Sequence, residues 1–266
     1  MIPKKNIIAV TNQKGGVGKT TTTVNLSAAL AASKRRVLVI DADPQGNAST
    51  GLGIDKDDRK HDLYELLCGN TSVKKAIRNS VVGNLHVIPA SANLSAVEVE
   101  FSGIEQREFQ LQAMIDGISD DYDYVFIDCP PSLGLITVNA LTAAGSVLVP
   151  LQSEYYALEG LSQLINTIDG VRNGLNPDLV IKGIVLTMYD SRNRLSSMVA
   201  SDVRQHLPSL VYDTMIPRNV RVSEAPSFGK PVLLYDLDCQ GSQAYIALSV
   251  EAVSYTHLRA HETSLH

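Results

Sequence analysis

Short apolar runs, many of them β-branched, recur along the chain and alternate with longer stretches whose apolar residues return every three or four positions. The runs predict strands over 7–11, 37–41, 85–89, 125–128, 147–150 and 183–188, with weaker candidates at 211–216 and 231–234. The amphipathic stretches predict helices over 20–32, 95–118, 158–172, 195–206 and 242–253. Strands this apolar belong to a sheet covered by helices on both faces. Their alternation with helices implies right-handed crossovers and a mostly parallel, twisted sheet. The expected fold is therefore a single α/β domain over residues 1–253, which would bind ligands beyond the carboxyl ends of its strands.

Composition adds bounds to this picture. A chain of 266 residues that is 44% hydrophobic can bury one large core. No apolar run approaches the ~20 residues of a membrane span. The opening Met1-Ile2-Pro3-Lys4-Lys5 lacks the apolar centre of a secretory signal. Cys68, Cys129 and Cys239 have no metal-ligand spacing, and three thiols suit a reducing, bacterial-type cytoplasm. The final residues, 254–266, break the pattern. Ser254 to Thr263 resembles translated sequencing-adapter read-through, so this tail is expected to be non-native and the i, i+4 pair His257 and His261 to carry no metal.

The net charge of −5 argues against a constitutive nucleic-acid binder. Its distribution is uneven. Between Lys182 and Lys230, Lys182, Arg192, Arg194, Arg204, Arg218, Arg221 and Lys230 face only Asp190, Asp202, Asp213 and Glu224. Any affinity for DNA should be local, modest and strongly salt-dependent.

The chemistry concentrates in Gln13-Lys14-Gly15-Gly16-Val17-Gly18-Lys19-Thr20-Thr21-Thr22, between the first strand and the first helix. Strand, glycine loop and helix together wrap backbone N–H groups around a polyphosphate. Lys19 would reach the β- and γ-phosphates and the Thr20 hydroxyl would ligate Mg²⁺. Two strands end in carboxylates: Asp41-Ala42-Asp43-Pro44-Gln45-Gly46-Asn47 after the second, and Asp128-Cys129-Pro130-Pro131 after Val125-Phe126-Ile127. Acidic residues there can hold Mg²⁺ through water or orient a nucleophilic water.

The ordinary phosphate loop has glycine where this chain has Gln13, and here a second lysine, Lys14, follows. The loop resembles that of the deviant Walker A P-loop NTPases, a group including ParA and Soj partition proteins, MinD, arsenite-pump ATPases and the nitrogenase iron protein. The resemblance runs from Ile7 to about Val253, and the Asp-Pro-Gln-Gly-Asn and Pro-Arg-Asn-Val-Arg stretches favour the ParA/Soj branch. It implies an ATP site of residues Lys14 to Thr21 (Lys14, Gly15, Gly16, Val17, Gly18, Lys19, Thr20 and Thr21), with Pro217 and Asn219 at the adenine. The asparagine amide can pair with adenine's donor and acceptor edge. The resemblance further implies that Lys14 crosses a dimer interface to the partner's nucleotide. Asp43 would support the attacking water, while Asp41 and Asp128 would lie by the metal, Asp128 through water. Arg192 and Arg221 would lie on a surface for nonspecific double-stranded DNA, although solvated surface arginines are the plainer alternative.

The implied activity is slow hydrolysis of ATP with Mg²⁺ in an ATP-dependent homodimer on the bacterial nucleoid, stimulated by a ParB-type partner and serving chromosome or plasmid segregation. With six residues before the first strand, no N-terminal operator-binding module is expected. The cysteines do not match the iron protein's cluster ligands. A MinD-like or cargo-positioning ATPase, or a metabolic phosphotransferase or ligase on the same fold, remain the alternatives.

Overall fold

Six apolar runs become strands β1 (Ile7–Val10), β2 (Val37–Asp41), β4 (Leu85–Ile88), β5 (Tyr124–Asp128), β6 (Ser146–Gln152) and β7 (Val180–Thr187), and a short polar strand that was not expected, β3 (Arg78–Asn79), joins them. They were located in a computed structural model that describes residues 4–154 and 156–262, without the side chains of Lys5, Ser119 and 254–262. The strands form one sheet in the order β3-β4-β2-β5-β1-β6-β7. Its pairings are parallel except for the short antiparallel pair β3 and β4.

The crossovers carry the helices. α1 (Lys19–Ala32) joins β1 to β2, and α2 (Asn47–Gly51), α3 (Leu63–Leu67) and α4 (Val73–Ala76) follow β2. α5 (Val97–Glu100) and α6 (Gln110–Asp116) precede β5, α7 (Leu135–Ala143) precedes β6, and α8 (Ala157–Gly174) precedes β7. After β7 come α9 (Arg194–His206), α10 (Val220–Glu224), α11 (Val232–Tyr235) and α12 (Gln240–Glu262).

Two apolar clusters explain why the strands are apolar throughout. Successive strand residues point to opposite faces, and both faces are covered. Ile7, Ala9, Leu38, Ile40, Val125 and Ile127 pack with Leu141 and Leu164 from α7 and α8 on one side. Ile8, Val10, Val37, Val39 and Phe126 pack with Leu26, Leu30 and Leu248 from α1 and α12 on the other.

The structure corrects three expected elements and adds a helix. The helix expected over 95–118 is broken into a 3₁₀ turn at Ala92–Ala96, α5, a run of turns, and α6. Gln106 within those turns has φ of 55°, a left-handed conformation that no α-helix accommodates. Segment 211–216 runs beside β7 and contributes bonds such as Ile216 N–H to the Leu186 carbonyl and an isolated bridge at Val211, without becoming a strand. Segment 231–234 starts a helix, because Pro231 has φ preset near −60° and ends the preceding turn as the N-cap of α11. Helix α7 was not expected. Its sequence, Leu-Ile-Thr-Val-Asn-Ala-Leu-Thr-Ala, is buried almost all round and so carries no amphipathic period.

Helix α12 continues through Glu262, but its side chains from 254 onward, including His257 and His261, and residues 263–266 lie outside the described residues. Among the described residues no helix is long and apolar enough to cross a membrane.

Sheet order positions the chemistry. β1 lies between β5 and β6, and β2 lies on the far side of β5, with Asp128 in register with both Val10 and Asp41. The loops leaving β1, β2 and β5 therefore open side by side.

Candidate nucleotide site

The loop after β1 is held from both sides. The buried Asn12 amide donates to the Pro150 carbonyl at 2.8 Å and its oxygen accepts the Lys14 N–H at 3.0 Å. The Thr187 hydroxyl, at the end of β7, donates to the Val17 carbonyl at 2.8 Å. Gly16 and Gly18 adopt φ of 75° and 88°, where a Cβ would strain the chain. Gly18 is the N-cap of α1 and offers no side-chain acceptor. The first N–H groups of α1 and the positive end of its dipole are thus left for an anion.

Lys19, only 7% exposed, donates to the Lys14 carbonyl at 3.0 Å. Burial lowers its pKa, opposed by the nearby Asp128 carboxyl. Below it, Asp128 is fully buried and accepts two hydroxyls, Thr20 at 2.8 Å and Thr23 at 2.9 Å. Asp41 is equally buried and accepts the Ser49 N–H at 2.7 Å, the Ser49 hydroxyl at 2.6 Å and the Asp43 N–H at 3.3 Å. It therefore serves first as the anchor of α2, a role its sequence position did not suggest. Burial and, second, the Asp41 charge push the Asp128 carboxyl up to about 8. Burial likewise raises Asp41 to about 6. Asp43 is nearly buried and accepts the Gln45 N–H at 2.9 Å.

Beside these groups opens a cavity of about 460 Å³ whose lining includes Gly15, Gly16, Gly18, Lys19, Thr20, Thr21, Asp43, Pro217 and Asn219. That volume lies in the range of nucleotide and cofactor pockets. Val17 is buried behind the loop, and Lys14, Asp41 and Asp128 lie outside the lining. Met188, Arg218 and Tyr245, none of them expected at the nucleotide, are among the other lining residues. Asn219 also shapes the backbone. Its side-chain oxygen caps α10, accepting the Arg221 N–H at 2.9 Å and the Val222 N–H at 3.4 Å. With that oxygen engaged, a two-sided pairing with adenine would require breaking the cap, and the expected contact is restricted to the amide NH₂.

The remaining expected residues sit apart from the cavity lining. The half-exposed Lys14 ammonium is ion-paired with Glu154, beyond the end of β6. Arg192 grips Asp190 with two hydrogen bonds, at 3.0 and 2.9 Å, and holds its carboxyl down to about 2. Arg221 lies between Glu224 at 3.0 Å and Asp236 at 3.3 Å. Both arginines thus reach the surface with their charge partly answered, by Asp190 and Glu224 already counted in this region and by Asp236 beyond it.

Thr23 follows Lys19 by one helical turn on the same face, a spacing that could have revealed it. Ser49, Glu154 and Thr187 carry no such signal, since their partners lie 8, 140 and 170 positions away.

The donor set suits Mg²⁺, which takes hard oxygens and usually keeps one or two protein ligands beside phosphate and water. Thr20 would ligate the ion directly and Asp128 would receive its water.

Comparisons with known proteins agree with this geometry. Residues 5–181 match the protein family described as an AAA domain. The chain is 58% identical to the chromosome partitioning protein ParA of Caulobacter vibrioides, over 93% of this chain and 94% of that protein. It is 52% identical to the sporulation initiation inhibitor protein Soj of Bacillus subtilis, over 93% and 98%. A crystal structure of cobyrinic acid a,c-diamide synthase from Mycobacterium smegmatis, with bound ATP analog and magnesium, superposes with a TM-score of 0.80 at 36% identity, covering 91% of this chain and 92% of that one.

Proposed function

Because the chain belongs to the ParA/Soj family of P-loop partitioning ATPases, we propose that it is an ATP-gated DNA-binding ATPase that segregates chromosomes or plasmids in the bacterial cytoplasm. The observation that carries this reading is the convergence of Lys19, Thr20 and Asp43 on one cavity, with Asp128 behind Thr20, in a chain 58% identical to a ParA.

ATP would seat its phosphates on the N–H groups of the loop and the first turn of α1. Lys19 would leave the Lys14 carbonyl for the β- and γ-phosphates, and Thr20 would turn its hydroxyl oxygen from Asp128 to the metal. When bound, Mg²⁺ supplies neutralisation of the charge that develops on the phosphate oxygens. Asp43 accepts a hydrogen bond from the attacking water and orients it in line with the γ-phosphorus. Lys14 exchanges Glu154 for the nucleotide of a second copy, giving an ATP-dependent homodimer. Arg192 and Arg221 of two copies then face one duplex, and doubled phosphate contacts on one rigid body give ATP-gated affinity. A ParB-type partner accelerates hydrolysis, and hydrolysis releases both the dimer and the DNA.

The test is binding to nonspecific duplex DNA with ATP, ADP or no nucleotide across a salt series, with Arg221→Glu as control. Affinity confined to ATP, falling with salt and lost in the variant, is the expected result. ATP-driven dimers without DNA affinity in any state would reject it and favour a MinD-like or cargo-positioning role. A ligase is the second reading, favoured by the 36% identity to the diamide synthase. It predicts ATP turnover that depends on a small substrate and ignores DNA.

A further inference from the structure

Arg59 lies in Lys56-Asp57-Asp58-Arg59-Lys60, which reads as a solvated charge run, yet it is only 7% exposed. Its guanidinium is threaded through the segment that follows β2. Nη1 donates to the Gly46 carbonyl at 3.1 Å and the Ala90 carbonyl at 3.4 Å. Nη2 donates to the Thr50 hydroxyl and the Ile54 carbonyl, both at 2.8 Å. Gly46 closes the turn that carries Asp43, since its N–H donates to the Asp43 carbonyl at 2.9 Å. The Thr50 hydroxyl also donates to the Gly46 carbonyl at 3.1 Å.

One planar cation therefore ties the end of the Asp43 turn to the C-terminal end of α2 and to β4's exit at Ala90. Gly46 has φ of 64°, and a Cβ there would overlap Arg59 Nη1. The glycine both permits the turn and clears the space that the guanidinium occupies. Taking a cation out of water is costly, and four donated bonds offset that cost here although the buried Nε–H has no partner among the described residues. Four donated bonds are more than a surface arginine needs. A lysine, with a single nitrogen, cannot span the same acceptors.

We propose that Arg59 is a positioning residue for hydrolysis: it fixes the Asp43–Gly46 turn so that the Asp43 carboxylate keeps its place in the cavity wall. The proposal rests on the reading of Asp43 as the group that orients water. Displacement of such a group by about 1 Å is enough to cost on the order of 100-fold in rate.

Two measurements on the full chain decide it. The first, amide hydrogen exchange without nucleotide, does not depend on turnover. Arg59→Lys should speed exchange across residues 42–54 by about 10-fold or more while α1 stays protected. Unchanged exchange in that segment, or equal loosening of α1, overturns the clamp. The second is single-turnover ATP hydrolysis beside fluorescent-nucleotide affinity, in Arg59→Lys and Arg59→Met, with and without Asp43→Ala. The expected result is a rate at least about 10-fold lower, nucleotide affinity within about 3-fold, and no further loss once Asp43 is absent. Rate and affinity falling together, or an Arg59 effect that persists in full without Asp43, would overturn it. A wild-type chain that binds ATP and never hydrolyses it would refute the hydrolytic function instead, and the exchange result would still decide the clamp.

Discussion

Asp41 and Asp128 are register partners at the ends of adjacent strands, fully buried and each held by a hydroxyl from a helix N-terminal region, Ser49 in one case and Thr20 in the other. Burial raises the pKa of both carboxyls, the Asp41 charge adds to the rise at Asp128, and both hold protons that they would release in the unfolded chain.

That pair makes the metal-free protein sensitive to pH. The folded carboxyls bind protons more tightly than their unfolded counterparts, so their contribution to stability is full at low pH and is lost as pH rises through about 6 and about 8. In EDTA, the wild-type melting temperature should fall relative to that of Asp128→Asn between pH 5 and pH 8, by at least about 2 °C. Parallel curves would show that the pair does not titrate in this window.

Lys19→Ala should abolish ATP binding, because the ammonium is the charge that the loop presents to the β- and γ-phosphates. Calorimetry with Mg²⁺–ATP checks this. Binding within about 10-fold of wild type, roughly 1.4 kcal/mol, would remove Lys19 from the phosphate site.

Asp43→Ala should slow hydrolysis by about 100-fold or more and leave an ATP-bound dimer that persists on a sizing column. Normal turnover would assign water activation elsewhere.

Lys14→Ala should bind nucleotide as a monomer. The exposed pair it forms with Glu154 is worth no more than about 1 kcal/mol, so its loss should leave the melting temperature nearly unchanged. Light scattering with ATP is the check, and an ATP-induced dimer would refute the crossing role.

Asp190→Asn frees Arg192 from a carboxylate and should strengthen nonspecific DNA binding in the ATP state. Arg221→Glu should weaken it and lower the salt slope by about 1 per subunit. Electrophoretic or anisotropy titrations across salt read both, and unaffected binding in both variants would move the DNA surface elsewhere.

The strands and the phosphate loop were legible because both depend on local pattern. Apolar runs such as Val37–Asp41 are apolar wherever helices cover both faces, and the loop's chemistry is contiguous in sequence. Helix α7 was illegible for the opposite reason, since burial all round erases the periodicity that identifies a helix. Arg59 was hidden because Lys-Asp-Asp-Arg-Lys looks solvated, and only the folded chain shows Gly46, Thr50, Ile54 and Ala90 gathered about it. A charge tally could not show which acids pair with which arginines, and Asp236, outside the tallied segment, reaches Arg221 only in the folded chain.

Asn219 joins the inside of the nucleotide cavity to the outer surface. Its amide oxygen holds the first turn of α10, and the N–H it accepts at 2.9 Å is that of Arg221. The side chain that borders this cavity thus holds, by one hydrogen bond, the backbone N–H of the residue whose guanidinium reaches the surface. Whatever draws the Asn219 oxygen away from these two N–H groups would loosen that helical turn. The cavity wall and the surface that bears Arg221 therefore share a single amide, and a substitution at Asn219 would disturb both at once.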